Sequence, residues 1–199
     1  MITGGLDEVG WGAYAGPVIS VVACFREQDL LRLPSGVTDS KKLSEVKRET
    51  LYEELCVVPL DVGVGHAWPE EIDRLGPSPA LQLSYRRALE ELRHKPDLLL
   101  VDGSNRVEGW GGEQRVVAKG DSLHREISTA SIIAKVFRDR LMVSLSKRFP
   151  QYGWERNMGY GSHEHEQGIR KYGPVVPPPG GSGPYQHRRR YIHRILGGG

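Results

Sequence analysis

The sequence predicts an α/β domain: a mixed sheet flanked by helices, with a small helical extension at the C-terminus. Three observations predict it. Short apolar, β-branched runs alternate with longer segments of helical periodicity. Several of the extended runs end in an acidic residue, and in α/β folds functional groups collect at strand ends. The chain has 199 residues, the length of one ordinary domain that can bury most of its apolar surface.

The elements follow in order. Residues 2–9 (ITGGLDEV) form an extended run that ends in acids. Residues 17–25 (PVISVVACF) are apolar and β-branched, the pattern of a buried strand. Residues 44–55 predict a helix with Ser44 as its N-cap and Glu45 in the first turn. Residues 57–65 (VVPLDVGVG) predict a second strand, weakened by Pro59 and the glycines. Ser78-Pro79 starts a helix, with serine as cap and proline at the first helical position. Leu81, Tyr85, Ala88 and Leu92 form its buried stripe, and Pro96 stops it. Residues 97–103 (DLLLVDG) and 114–121 (QRVVAKGD) predict two more strands, each closed by an acid. A long helix over 123–147 buries Ile127, Ala130, Ala134, Phe137, Leu141 and Leu145. A short helix is expected within 162–172.

The composition, 38% hydrophobic and 26% charged, is that of a globular protein and argues against disorder. No apolar run approaches the roughly 18 residues of a membrane helix. The N-terminus lacks a basic region before a long apolar core, so a cytoplasmic location is expected. Cys24 and Cys56 belong to no CxxC pair, which argues against zinc; one disulfide stays open, and two buried free thiols are the expected reading. Net charge is only +2, yet residues 187–194 (HRRRYIHR) concentrate basic side chains. Charge alone leaves two readings of that stretch, a phosphate-binding tail or a solvated end. PPPGGSGP (177–184) predicts a linker, which divides the chain into a globular region 1–176 and a linker with basic tail 177–199.

Four carboxylates stand out. Asp7 and Glu8 end the first extended run, Asp102 ends an apolar strand, and Asp121 lies where the chain turns toward the long helix. Each taken alone suits a turn or a helix start. Together they suggest more, because a carboxylate at the end of a buried strand is costly unless paired or bound to a cation. Clustered carboxylates repel one another, and a divalent ion relieves the repulsion. Hard oxygen ligands without a His/Cys cluster favour Mg2+ or Mn2+. Two such ions can cleave a phosphodiester, one activating water and the other stabilising the leaving oxygen.

LDEVGWGAYAGPV (6–18), TDSKKLS (38–44), VDG (101–103), AKGDS (118–122), ASIIAKVFRDR (130–140), NMGYGSHEH (157–165) and HRR (187–189) occur in this order. In that set and order the chain resembles the ribonuclease HII family over nearly its whole length. The resemblance implies a ribonuclease-H-like fold and an endoribonuclease of DNA replication and repair. Such an enzyme cuts the RNA strand of an RNA–DNA hybrid on the 5′ side of a ribonucleotide, leaving 3′-hydroxyl and 5′-phosphate ends. It also implies a two-metal site with Mg2+ or Mn2+ held by Asp7, Glu8, Asp102 and Asp121. Gly10, Trp11, Gly12, Lys41 and Tyr160 then match substrate-binding positions. His165 and Arg188 match further family positions without an assigned role. The expected partner is an RNA–DNA hybrid or duplex DNA containing ribonucleotides, bound by a monomer with no membrane involved.

Two points qualify the match. Neighbouring residues on a regular strand face opposite ways, so Glu8 joins Asp7 only if the strand twists or ends between them. Where the family carries Gly-Arg-Gly, this chain has Gly10-Trp11-Gly12. The glycines still let the backbone approach a 2′-hydroxyl, but the arginine's charge and donors are gone. Hybrid cleavage is therefore better supported than removal of a single embedded ribonucleotide. A catalytically weak hybrid-binding protein on the same scaffold, and a nuclease for branched DNA, stay open as alternatives.

Overall fold

β1 (Ile2–Val9) lies at the middle of a five-stranded sheet in the computed structural model, which describes residues 1–37, 40–177 and 186–197 and, at Lys41, the backbone alone. The chain continues through β2 (Val18–Arg26), α1 (Glu27–Leu30), α2 (Glu45–Leu55), β3 (Asp61–Ala67), α3 (Pro69–Leu75) and α4 (Pro77–Glu91). It then forms β4 (Leu98–Asp102), β5 (Glu113–Val117), α5 (Arg125–Arg148), α6 (Trp154–Asn157), α7 (His163–Tyr172) and α8 (Arg189–Leu196). The strand order is β3-β2-β1-β4-β5, with β1 antiparallel to β2, and β4 parallel to both β1 and β5.

The chain divides into two compact units. One comprises Met1–Val9, Ile19–His66 and Gln82–Phe137; the other comprises Gly10–Val18, Ala67–Leu81 and Arg138–Gly199. The first holds the sheet. Its core joins Ile19, Val21, Ala23 and Phe25 of β2 to Leu51 and Leu55 of α2 and to Ala130, Ile133 and Ala134 of α5. Glycines bring helices onto the strands in this unit. A Cβ on Gly5 would fall 2.2 Å from the Glu126 carbonyl carbon of α5, and one on Gly65 would fall 2.0 Å from the Ser84 carbonyl oxygen of α4. The second unit packs Ala15, Met142, Tyr152, Trp154, Ile169 and Ile195 around its own core.

Most sequence expectations hold. Ser44 caps α2, its hydroxyl accepting from the Lys47 N–H. The helical extension at the C-terminus is α8, which buries Ile192 and Ile195 and exposes Arg190, His193 and Arg194. Other expectations are corrected. β3 starts at Asp61, beyond Pro59, whose ring removes the N–H a ladder needs. The strand over 114–121 stops at Val117, because Lys119 turns left-handed (φ 56°) into a 3-10 turn at Gly120–Ser122. Phe137 is exposed, and Met142 takes the buried position on α5. Cys24 is buried but Cys56 is exposed, and neither is in a disulfide. Helix α3 was not expected. Its signal is Pro69 at the first helical position with Glu71 two residues on, whose carboxylate accepts from the Trp68 N–H at 3.0 Å. Much of the expected 177–184 linker lies outside the described residues.

Candidate active site

The parallel pairing of β1 and β4 sets the site. Leu6 is level with Val101, and one residue further on each strand comes an aspartate, Asp7 and Asp102. Parallel partners project to the same face, so these two carboxyls lie side by side, at the end of β4 and two residues before the end of β1. Asp7 is buried, and Ser131 of α5 hydrogen-bonds its carboxyl. Burial first, then the charge of Glu8 and, more weakly, that of Asp102, push the Asp7 carboxyl up to about 8 against the opposing hydrogen bond from Ser131. Asp102 Oδ1 accepts from the Gly120 N–H at 2.6 Å, which ties β4 to the turn carrying Asp121. Asp121 is itself buried, and its carbonyl accepts from the Ser128 hydroxyl at 2.7 Å.

Glu8 goes the other way. The strand stays regular through Val9, so Glu8 faces α4, where the buried Tyr85 phenol donates to its Oε2 at 2.6 Å. Beside it Ser20, the β2 partner of Glu8, shares a 2.6 Å hydroxyl–hydroxyl bond with Ser84. Among the described residues no three His, Cys, Asp or Glu side chains stand close enough to hold an ion. Asp7 and Asp102 nonetheless make a hard-oxygen pair whose mutual repulsion a divalent cation relieves, and the donor chemistry fits Mg2+ or Mn2+.

Ser40 approaches the same acids. Ser40 is buried, and its hydroxyl lies 2.9 Å from that of Ser131, the residue bonded to Asp7. The Lys41 side chain lies outside the described residues. Sequence reasoning missed Ser131 and Ser40, because a serine in an apolar helical stripe and one in a loop carry no signal of a shared partner. Tyr85 was read as core, which it is, but its hydroxyl reaches Glu8.

The remaining matched positions belong to the second unit. Trp11 is 41% exposed and Gly12 is exposed, while Gly10 is buried with φ +87°. Tyr160 is partly buried, with the Arg138 guanidinium 5.2 Å from its ring centroid. Arg188 and His187 are almost wholly buried, so this part of the basic stretch is not a solvated end.

A sequence model of the family described as Ribonuclease HII matches residues 4–193. The chain belongs to the ribonuclease HII family. Ribonuclease HII of Cereibacter sphaeroides is 42% identical over 194 residues, covering 96% of this chain and 85% of that protein. Ribonuclease HII of Alteromonas mediterranea is 46% identical over 169 residues, covering 85% and 87%. The ribonuclease H2 structure from Pyrococcus horikoshii OT3 matches with a TM-score of 0.79 at 31% identity, over 99% of this chain and 98% of that one. Ribonuclease HII in its complex with PCNA from Archaeoglobus fulgidus matches with a TM-score of 0.70 at 29% identity, over 86% and 88%. A Bst ribonuclease HIII solved with Mn2+ shares the fold at 20% identity, with a TM-score of 0.71 over 87% and 63%. As a member of that family the chain is a type 2 ribonuclease H, a nuclease and hydrolase, and its mixed sheet with flanking helices is the ribonuclease-H-like fold. No helix among the described residues is long and apolar enough to cross a membrane.

Proposed function

We propose that this protein is a cytoplasmic, monomeric endoribonuclease that cleaves the RNA strand of RNA–DNA hybrids on the 5′ side of a ribonucleotide, leaving 3′-hydroxyl and 5′-phosphate ends. The observation that carries the reading is the level pair Asp7 and Asp102 on adjacent parallel strands. Asp7, Glu8, Asp102 and Asp121 are proposed to hold two Mg2+ or Mn2+ ions. When bound, such ions activate water and stabilise the leaving oxygen. Glu8 reaches a cation only by leaving or sharing its bond to Tyr85, because it faces away from Asp7. Ser131 keeps the Asp7 carboxyl oriented, and the Gly120 N–H does the same for Asp102.

Gly10, Trp11, Gly12, Lys41 and Tyr160 are proposed to bind substrate. Only Val9 separates Glu8 from Gly10 in the chain. Exposed Trp11 offers an aromatic face to a sugar or base where the family has a guanidinium. Residues 1–176 are proposed as the catalytic region and 177–199 as an extension. The exposed Arg190 and Arg194 of that extension suit a phosphate backbone.

The test uses end-labelled RNA–DNA hybrid, duplex DNA with one ribonucleotide, and branched DNA, each with Mg2+, Mn2+ or chelator. Hybrid cleavage that needs the divalent ion and leaves 3′-hydroxyl ends is expected. Binding without cleavage favours the weak hybrid binder, and cleavage of branched DNA alone rejects the reading.

A further inference from the structure

Within the second unit, buried Arg188 reaches the backbone of Gly10, Trp11 and Gly16, buried Arg138 reaches that of residues 15, 17 and 158, and the imidazoles of His187 and His165 lead to the Tyr160 carbonyl. Arg188 is 2% exposed. Its Nη1 donates to the Trp11 carbonyl at 2.6 Å, and its Nη2 donates to the carbonyls of Gly10 at 2.6 Å and Gly16 at 3.1 Å. Arg138, wholly buried, donates to the carbonyls of Pro17 at 2.9 Å, Ala15 at 2.9 Å and Met158 at 2.8 Å. The hydrogen bonds of both guanidiniums go to carbonyl oxygens, and the Tyr160 ring centroid lies 5.2 Å from the Arg138 guanidinium. Arg188 Nε has no hydrogen-bond partner among the described residues. Burying charge this way is costly, so the arrangement demands the loop conformation that supplies the carbonyls. It also demands glycine at position 10, where a Cβ would fall 2.2 Å from Arg138 Nε.

Peptide planarity carries the consequence outward. The peptides are trans, so a carbonyl turned inward sends the N–H of the same peptide the opposite way. With the Gly10 and Trp11 carbonyls on Arg188, the N–H groups of Trp11 and Gly12 point away from it. Neither donates to any acceptor among the described residues.

A second chain of bonds ends on Tyr160. His187 Nδ1 accepts from the Val175 N–H at 2.9 Å, so the proton of the neutral ring sits on Nε2. His187 Nε2 lies 3.0 Å from His165 Nε2, and the Trp154 indole N–H donates to that same His165 nitrogen at 3.1 Å. His165 Nε2 is therefore the acceptor, and His165 Nδ1 carries the proton it donates to the Tyr160 carbonyl at 2.9 Å. Tautomers here follow from the bonding pattern.

We propose that Arg188 and the His187–His165 pair are positioning residues for junction recognition. Arg188 fixes Gly10-Trp11-Gly12 with its N–H groups outward, and the imidazoles fix the backbone at Tyr160. This rests on the reading that those segments bind the ribonucleotide junction. One dipeptide, His187-Arg188, thus supports both segments, and its loss impairs cleavage at a single embedded ribonucleotide more than cleavage of a long hybrid. A long hybrid offers many registers and dilutes a poorly held loop, whereas a single ribonucleotide offers one.

Arg188→Lys tests this, because lysine keeps the charge but loses the planar fork that spans several carbonyls. Amide hydrogen exchange over residues 9–16 is expected to quicken at least tenfold, with exchange in β1 and β4 upstream of the acids unchanged. kcat/KM is expected to fall at least tenfold more on the single-ribonucleotide duplex than on the hybrid, mostly through KM. Unchanged exchange over 9–16 overturns the proposal. Quickened exchange with equal losses on both substrates also overturns it, and locates the fault in junction recognition. Failure of the function reading looks different: wild-type protein with a protected loop then cleaves neither substrate. If Arg188→Lys shows no cooperative thermal transition, wild-type exchange in rising urea decides. Residues 9–16 and 186–192 must open with the same free energy, and a loop that opens well before the tail overturns the proposal.

Discussion

The Tyr85 phenol donates a 2.6 Å hydrogen bond to Glu8 Oε2, on the opposite face of β1 from Asp7. The bond explains why two adjacent acids do not share an environment. Asp7 meets Ser131 of α5, while Glu8 meets Tyr85 of α4. Burial first, and then the Glu8 carboxylate, raise the Tyr85 hydroxyl far above its ordinary value, so it acts as a donor at every working pH.

Tyr85→Phe is expected to keep the fold, with a stability loss of about 1–3 kcal/mol for a bond to a charged acceptor. If Glu8 serves as a metal ligand, losing the group that orients it raises the Mg2+ concentration for half-maximal activity about 10–100-fold. A metal titration of activity measures this. An unchanged midpoint removes Tyr85 from any role at the site beyond packing.

Stability should depend on pH through His187. Burial, and then the neighbouring His165, pull its imidazole down to about 3 from 6.5. His165 is lowered as well, chiefly by burial. The folded state thus leaves His187 unprotonated where the unfolded chain binds a proton. Its contribution is fully present above pH 6.5 and is lost as pH falls from 6.5 toward 3, by up to about 1.4 kcal/mol per pH unit. Urea unfolding of wild type and His187→Gln at pH 7 and 4.5 checks it. Equal losses in the two proteins would show that other groups carry the dependence.

Trp11→Arg is expected to raise kcat/KM on a duplex with one ribonucleotide about tenfold more than on a long hybrid, the value of one charge-assisted contact. Trp11 is 41% exposed, so arginine replaces no core side chain. An equal change on both substrates, in either direction, would show that position 11 does not read the junction.

What was legible in the sequence follows from what patterns encode. An acid closing an apolar strand is visible, so Asp102 and the strand bearing Asp7 were found. Strand adjacency is a long-range property, and only the β1–β4 pairing brought the two level. Alternation set the condition that Glu8 joins Asp7 only if the strand twists or ends between them, and the strand runs regular through Val9. Arg138 and Arg188 were illegible as buried groups, because charge normally marks a surface and their burial depends on carbonyls gathered from residues 10–17 and 158. The Phe137 assignment failed for a related reason. Helical periodicity names a face but not where the covering layer ends, and that face is open at residue 137.

The central claim is that the level pair Asp7 and Asp102 forms a charge site for divalent-ion-dependent hydrolysis. Asp102→Asn tests it most directly. Asparagine keeps the oxygen that accepts from the Gly120 N–H at 2.6 Å, so the turn carrying Asp121 should survive. It removes the charge that a cation needs. Cleavage of end-labelled RNA–DNA hybrid in saturating Mg2+ or Mn2+ is expected to fall more than about a hundredfold, roughly 3 kcal/mol in barrier, while thermal stability and hybrid binding stay near wild type. A stable variant that retains more than about a tenth of the wild-type rate, within roughly 1.4 kcal/mol of its barrier, would contradict the account.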